Sequence, residues 1–191
     1  MTDATTFRSM RLIPAPRERV FEAWTDPDQL RRWWGPGLFT TPVAQIDLRP
    51  GGRYELVMQP PEGQALILVG TFREVSPPER LVYTWRWEAG VPSTGESIVT
   101  VEFHDRDCAT EVVLTHADLP PGESVAPYRD GWESGLDKLE RTLTGTQPRG
   151  SHPAADGLTT NREVSMAQAT YAVVINRPIG DVFGFVADGE E

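Results

Sequence analysis

Histidine is the side chain most suited to proton transfer near neutral pH, and the chain has three. His116 is in phase with Val112 and Leu114, so it should point toward the interior of the fold. His104 is out of phase with its apolar neighbours and should face solvent, while His152 lies in a segment without apolar periodicity. His116 is therefore either a ligand-binding or proton-carrying residue, or a strand-end histidine satisfied by backbone or water.

Other kinds of chemistry lack their motifs. No pair of histidines has metal-ligand spacing and one cysteine cannot build a thiolate site, so we expect no metal and no cofactor. Glycine-rich phosphate loops and the Gly-x-Ser-x-Gly elbow are missing from the sequence. Glu55, Glu102 and Glu111 alternate away from apolar positions and should be solvated, which leaves no paired-carboxylate mechanism. Cys108 follows Asp107 with no basic neighbour and should be a buried or half-buried structural residue.

The segment from Leu81 to Trp87 indicates a β-strand with one aromatic face. Tyr83, Trp85 and Trp87 alternate with smaller or polar residues. Such a face needs a cover, which can be a helix, a second sheet or an enclosed ligand. Tyr83 is also a second candidate proton carrier.

The elements that position these residues follow from periodicity and turn signals. A first strand is expected near 8–13, a helix that begins at Pro16, and a second short helix capped by Asp26 that extends to Trp34. Period-two segments separated by short linkers then predict an antiparallel meander with strands near 40–48, 53–59, 65–73, 80–88, 97–104 and 109–116. In this meander, Asp47 and Arg49 should pair across the turn at Gly51-Gly52.

A long helix is expected to begin between Ser124 and Tyr128. Its apolar stripe consists of Trp132, Leu136, Leu139 and Leu143. This stripe should pack on the aromatic face of the meander, because the opposite side of the helix is charged. The predicted fold class is α+β.

Charge and hydropathy exclude several partners. The net charge is −10, with scattered acidic residues, which argues against nucleic acid and against an anionic membrane surface. The apolar runs are too short to span a bilayer, and the N-terminus has no secretory signal pattern. We therefore expect a cytoplasmic protein.

The sequence predicts three segments. Residues 1–145 should form the main domain, and residues 146–168 a flexible linker rich in small and polar residues. Residues 169–191 repeat the start of the chain, since a shift of 162 positions aligns Pro178 with Pro16 and Phe183 with Phe21. This tail is interpreted as the truncated start, strand plus helix, of a second domain of the same type; the alternative is a C-terminal tail that is amphipathic by chance. An unpaired strand there could add to a sheet edge, so a homodimer is one predicted assembly.

Four strings in order over residues 7–144 resemble one family. They are Trp33-Trp34-Gly35-Pro36, Asp47-Leu48-Arg49-Pro50-Gly51-Gly52-Arg53-Tyr54, Pro77-Pro78-Glu79-Arg80-Leu81-Val82 and Gly131-Trp132. Together they resemble the AHSA-like family, homologues of the activator of heat-shock chaperone ATPase, within the START-like (SRPBCC) helix-grip superfamily. The resemblance implies a curved antiparallel sheet of six to seven strands wrapped around a long C-terminal helix, with two short helices after the first strand and a cavity inside. The tail resembles the start of another SRPBCC domain.

Three functions remain open. The first is a protein that binds a small apolar or aromatic molecule without covalent chemistry, and the second is an enzyme similar to a polyketide cyclase or dehydratase that uses His116 or Tyr83. The third is a cofactor that activates a chaperone ATPase, although the first strand begins too near Met1 for the N-terminal chaperone-binding domain of eukaryotic members. The predicted ligand-binding residues are Trp34, Tyr54, Met58, Phe72, Tyr83, Trp85, Trp87, His116 and Trp132.

Overall fold

The structure, a computed structural model, describes residues 5–91, 95–119 and 124–145. The predicted linker at 146–168, which contains His152, and the predicted second-domain fragment at 169–191 lie outside the described residues. Those two predictions are not tested by the structure.

A seven-stranded antiparallel sheet forms the body of the described chain. Its strands are β1 (Thr5–Ile13), β2 (Thr40–Ile46), β3 (Arg53–Gln59), β4 (Leu66–Ser76), β5 (Arg80–Ala89), β6 (Ser97–Arg106) and β7 (Ala109–Leu119). The spatial order is β1-β7-β6-β5-β4-β3-β2, so strands β2 to β7 form the expected meander and β1 adds to its far edge. Register shifts interrupt the pairing of β4 with β5 at two places, and bulges of this kind increase the curvature of a sheet.

Two short helices follow the first strand, as predicted. Helix α1 (Arg17–Thr25) begins directly after Pro16, and α2 (Pro27–Leu30) begins after Asp26. The Asp26 carboxylate accepts hydrogen bonds from the backbone N–H groups of Asp28 and Gln29, so the predicted cap is confirmed. The second helix is shorter than expected, because the chain leaves helical geometry after Leu30 and reaches Trp34 through a turn.

The long helix α3 (Ala126–Thr144) lies on the aromatic face of the sheet. Trp132, Leu136 and Leu139 are buried, and the Trp132 ring centre lies 5.2 Å from that of Trp85. The predicted stripe and its target on β5 are therefore confirmed. The fold is an α+β helix-grip fold.

The turns agree with the sequence in one place and differ in another. The Arg49 guanidinium pairs with the Asp47 carboxylate at 2.9 Å and 3.1 Å beside Gly51, whose φ is +81°. Cys108, in contrast, is exposed, so the expectation of a buried or half-buried cysteine is wrong. The reason is its place in the tight turn between β6 and β7, next to Asp107 with a φ of +59°.

In the described part of the chain, no helix combines the length and the apolar character that crossing a membrane requires.

Candidate functional site

All six tryptophans of the chain are buried in one aromatic cluster between the sheet and the helices. They are Trp24, Trp33, Trp34, Trp85, Trp87 and Trp132. Trp132 on α3 is central, because its ring stacks on Trp24 with centres 6.1 Å apart and meets Trp34 edge-on at 5.4 Å. Such offset and edge-to-face contacts stabilise aromatic pairs beyond simple burial. We name this group the tryptophan cluster.

A first cavity of about 40 Å³ opens beside the tryptophan cluster, between β5 and α3. It is lined by Trp33, Trp34, Gly35, Pro36, Met58, Trp85, Trp87, Tyr128, Gly131, Trp132 and Gly135. Gly131 and Gly135 are one helical turn apart on α3, and glycine inside a helix typically costs about 1 kcal/mol relative to alanine. The two missing side chains leave open space on the sheet-facing side of the helix.

A second cavity of about 20 Å³ lies between the sheet and the two short helices. Its walls are Trp24, Leu30, Trp34, Ile46, Tyr54, Leu56, Phe72 and Tyr83. Trp34 lines both cavities. The interior is thus mainly packed core with two small spaces.

The loop Gly35–Phe39, which we name the rim loop, borders the first cavity and is fastened to α3. The Ser134 hydroxyl accepts a 2.7 Å hydrogen bond from the backbone N–H of Gly37. The Lys138 ammonium donates to the carbonyl oxygens of Gly35 and Phe39 at 3.0 Å and 2.8 Å. Burial, and secondarily the positive charge of Arg141, lower the pKa of Lys138 to about 8.

His116 lies behind the wall of the first cavity and makes two hydrogen bonds. Its Nδ1 accepts from the indole N–H of Trp132 at 3.2 Å, and an indole nitrogen can only donate. The imidazole proton must therefore be on Nε2, which donates to the Ser97 hydroxyl at 2.8 Å, and that hydroxyl donates to the Trp85 carbonyl oxygen at 3.4 Å. Burial lowers the pKa of His116 from 6.5 to about 3, so the ring is neutral.

Two tyrosines line the second cavity, and both are buried. The Tyr54 hydroxyl donates to the Thr84 carbonyl oxygen at 2.7 Å, and the Tyr83 hydroxyl accepts from the indole N–H of Trp24 at 3.4 Å. Burial raises the pKa of each phenol well above its ordinary value. Both hydroxyls are therefore protonated at neutral pH.

The predicted ligand-binding residues divide between the two cavities. Trp34, Met58, Trp85, Trp87 and Trp132 line the first, whereas Tyr54, Phe72 and Tyr83 line the second together with Trp34. His116 lines neither cavity, but it contacts three residues of the first cavity's wall, Trp85, Tyr128 and Trp132.

Sequence reasoning missed several residues of the site. Trp24 and Trp33 had been assigned only to helical segments, and the paired glycines Gly131 and Gly135 had not been interpreted. Two glycines four residues apart in an otherwise helical pattern were a usable signal, since helices disfavour glycine unless space is needed.

The described residues do not form a metal site. Over residues 5–91, 95–119 and 124–145, no group of three or more histidine, cysteine, aspartate or glutamate side chains is placed to hold a metal ion.

Comparison with known proteins identifies the family. The model of the family described as "Activator of Hsp90 ATPase homolog 1-like protein" matches residues 14–144, more than half of the chain. The chain belongs to this AHSA1-like family. The resemblance noted in the sequence is thereby confirmed, including the SRPBCC helix-grip assignment.

Solved structures of AHSA1-like proteins share the fold. The AHSA1 protein from Silicibacter pomeroyi is 29% identical with a TM-score of 0.65, and the match covers 73% of this chain and 98% of that one. The AHSA1-like protein from Aeromonas hydrophila is 26% identical with a TM-score of 0.63, covering 78% and 100%. A protein from Chromobacterium violaceum is 28% identical with a TM-score of 0.66, covering 73% and 97%. No curated protein matches the sequence.

Proposed function

We propose that this AHSA1-like protein binds a small apolar or aromatic molecule between β5 and α3, without covalent chemistry. The observation that carries the proposal is the first cavity, whose walls are mainly aromatic rings and helix glycines. An AHSA1-like helix-grip fold is consistent with a binding role in general. Concave sites lined by aromatic side chains are typical of small-molecule binding.

Binding requires side chains to move. A space of 40 Å³ holds water, whereas pockets for drug-sized ligands span roughly 300–1,000 Å³. Trp34 is the side chain whose displacement would join the two cavities. It directly precedes Gly35, the first residue of the rim loop. Gly35 and Gly37 have φ angles of +93° and +46°, a conformation that other residues adopt only with strain.

Hydrogen bonding favours binding over catalysis. Both nitrogens of His116 are engaged, and its low pKa makes it a poor proton acceptor at neutral pH. The raised pKa of Tyr83 makes that phenol a poor proton donor. The cyclase-like and chaperone-cofactor functions stay predictions.

A titration of ¹⁵N-labelled protein with toluene, naphthalene and lauric acid tests the proposal. Binding should perturb indole N–H resonances of the tryptophan cluster. Trp34→Leu should tighten binding by enlarging the cavity, and Gly135→Ala should weaken it because the new methyl group, 3.9 Å from the Trp33 ring, fills the space. Gly135→Ala should also stabilise the fold by about 1 kcal/mol through helix propensity.

The matched control is Leu38→Ala on the rim loop, where Leu38 is 81% exposed. It should leave the affinity unchanged. If none of the three probes perturbs any indole resonance, in the wild type or in Trp34→Leu, the proposed binding site is wrong.

A further inference from the structure

Two indole N–H groups in the wall of the first cavity have no acceptor. Trp85 Nε1 and Trp87 Nε1 are buried, and the two residues that carry them are only 8% and 3% exposed. Neither nitrogen has a hydrogen-bond partner among the described residues. Two other tryptophans that line the same cavity do have acceptors. The Trp33 indole donates to the Ala23 carbonyl oxygen at 2.8 Å, and the Trp132 indole donates to His116. Buried donors without acceptors are rare in proteins and need an explanation.

The two indole rings that carry the unpartnered donors are neighbours. Trp85 and Trp87 are two residues apart on β5, so both side chains project from the same face of the sheet. Their ring centres are 5.4 Å apart and the ring planes are nearly perpendicular, at 88°. Both rings line the first cavity. Two residues with unpartnered indole donors therefore form part of the wall of an otherwise apolar space.

The donors call for a ligand atom that accepts two hydrogen bonds. A carbonyl oxygen has two lone pairs and satisfies this requirement without a charge. None of the described residues lining the cavity is charged, and the neighbouring Lys138 ammonium is directed to the carbonyl oxygens of the rim loop. Burying an anion without a charged partner is costly, so a neutral acceptor fits better than a carboxylate.

We infer that the first cavity binds a neutral, flat aromatic carbonyl compound, whose oxygen accepts hydrogen bonds from Trp85 Nε1 and Trp87 Nε1. The inference rests on the proposed function and specifies its ligand class. Aromatic walls select the flat ring system, and the paired indoles select the carbonyl group.

Three matched probes test this ligand class on the full-length protein. Indane and 1-indanone have the same ring system and differ by one carbonyl group, while indane-1-carboxylate adds a charge. Dissociation constants are measured by ¹H–¹⁵N titration, with the indole resonances assigned through Trp85→Phe and Trp87→Phe. In the wild type, 1-indanone should move the Trp85 and Trp87 indole protons downfield, and indane should not.

The decisive quantity is the ratio of the indane to the 1-indanone dissociation constant, because it cancels general effects of a mutation on the cavity. Each Trp→Phe change at Trp85 or Trp87 should lower this ratio roughly 2- to 10-fold, the usual value of one net hydrogen bond. The matched control is Trp33→Phe, in the same wall, whose N–H is already bonded; it should leave the ratio unchanged. Indane-1-carboxylate should bind more weakly than 1-indanone.

The possible failures are distinguishable. If indane and 1-indanone bind but the ratio is the same in both variants and the wild type, the inferred carbonyl recognition is wrong and the proposed binding site stands. If no probe binds and both indole protons exchange magnetisation only with water, solvent satisfies the donors, and both the inference and the proposed function fail. If either Trp85→Phe or Trp87→Phe does not fold, the other variant and the indole shifts of the wild type test the inferred carbonyl recognition.

Discussion

His116 illustrates how burial determines the role of a titratable residue. The sequence placed it correctly on an inward-facing position, and the structure adds two hydrogen bonds that use both ring nitrogens. The neutral ring accepts from Trp132 and donates to Ser97, so it connects α3 to β6. A charged ring would have to abandon the hydrogen bond from Trp132, because both nitrogens would then be donors.

This arrangement predicts a pH-dependent stability. Because the pKa is about 3 in the folded protein and 6.5 in the unfolded chain, the unfolded chain binds the extra proton between these values. The free energy of unfolding should therefore fall as the pH drops below 6.5, by up to about 1.4 kcal/mol per pH unit from this group. Urea denaturation between pH 4.5 and 7.5 measures the slope for the wild type and for His116→Gln, in which the slope should be smaller.

The control for this prediction is His104→Gln, which changes a half-buried histidine on β6. It shows whether any histidine-to-glutamine change alters the slope, because His104 makes neither of the two hydrogen bonds of His116. Equal slopes for the wild type and His116→Gln would show that His116 does not remain neutral in the folded protein.

Individual contacts of the site were less predictable than its location. Alternation along β5 places Tyr83, Trp85 and Trp87 on one face, because successive side chains of a strand point to opposite faces of the sheet. Which indole finds an acceptor depends on the distances between elements that are far apart in sequence, such as the 2.8 Å from Trp33 Nε1 to the Ala23 carbonyl oxygen. Periodicity contains no information on such distances.

Among the elements, α3 and the rim loop form one unit. Two side chains of the helix, Ser134 and Lys138, fasten the loop through its backbone. Lys138 is the only lysine of the chain, and its ammonium is partly desolvated in making these bonds. The Lys138 ammonium is therefore bonded to a loop that borders the first cavity.

We predict that Lys138 titrates near pH 8. In protein labelled with [¹³C]lysine, its side chain should give a single lysine signal with a midpoint near 8 instead of 10.5. Because the unfolded chain keeps the proton up to 10.5, this group makes the free energy of unfolding rise with pH between about 8 and 10.5. Lys138→Met should remove that rise relative to the wild type.

A pair of arginine variants tests the cause of the lowered pKa. Arg141→Gln removes the positive charge that disfavours the ammonium, so the Lys138 midpoint should move upward. Arg129→Gln, at the other end of the same helix, should leave it unchanged. A midpoint at 10.5 in the wild type would mean that the ammonium is solvated and does not fasten the rim loop.

The sequence predicts where most helices and strands begin and end, but it does not predict the size of the interior space. Caps such as Asp26 and turn residues such as Gly51 act locally, so their effect can be deduced from neighbouring residues. The end of α2 was misplaced because Trp33 and Trp34 leave the helix to pack in the tryptophan cluster, a tertiary effect. The cavity volumes similarly depend on how aromatic rings from several strands and helices pack together.

At the scale of the whole molecule, the sheet has two edges, β1 and β2. On β1, Met10 and Leu12 are exposed apolar side chains, at 62% and 59%. An edge with these properties is suited to pairing with another strand. Homodimerisation, or addition of the strand predicted within residues 169–191, stays a prediction for this edge.

The described part of the chain contains what a domain of this family needs. Among the described residues the buried core lies within 7–139, and the family model matches 14–144. Helix α3 is closed by Gly145, which has a φ of +67° and donates its N–H to the Arg141 carbonyl oxygen at 3.1 Å. The solved structures from S. pomeroyi and A. hydrophila are covered over 98% and 100% of their length by about three quarters of this chain.

We therefore predict that residues 1–145 fold without residues 146–191. A chain that ends at Gly145 should keep the free energy of unfolding of the full chain within about 0.5 kcal/mol, the usual effect of changes outside the core. Its indole N–H resonances should coincide with those of the full chain, because the tryptophan cluster lies within 24–132.

The matched control ends at Thr144 and lacks the helix cap, so it should be less stable. Shifted indole resonances in the shorter chain would show that residues 146–191 contact the tryptophan cluster, which would contradict the predicted domain boundary.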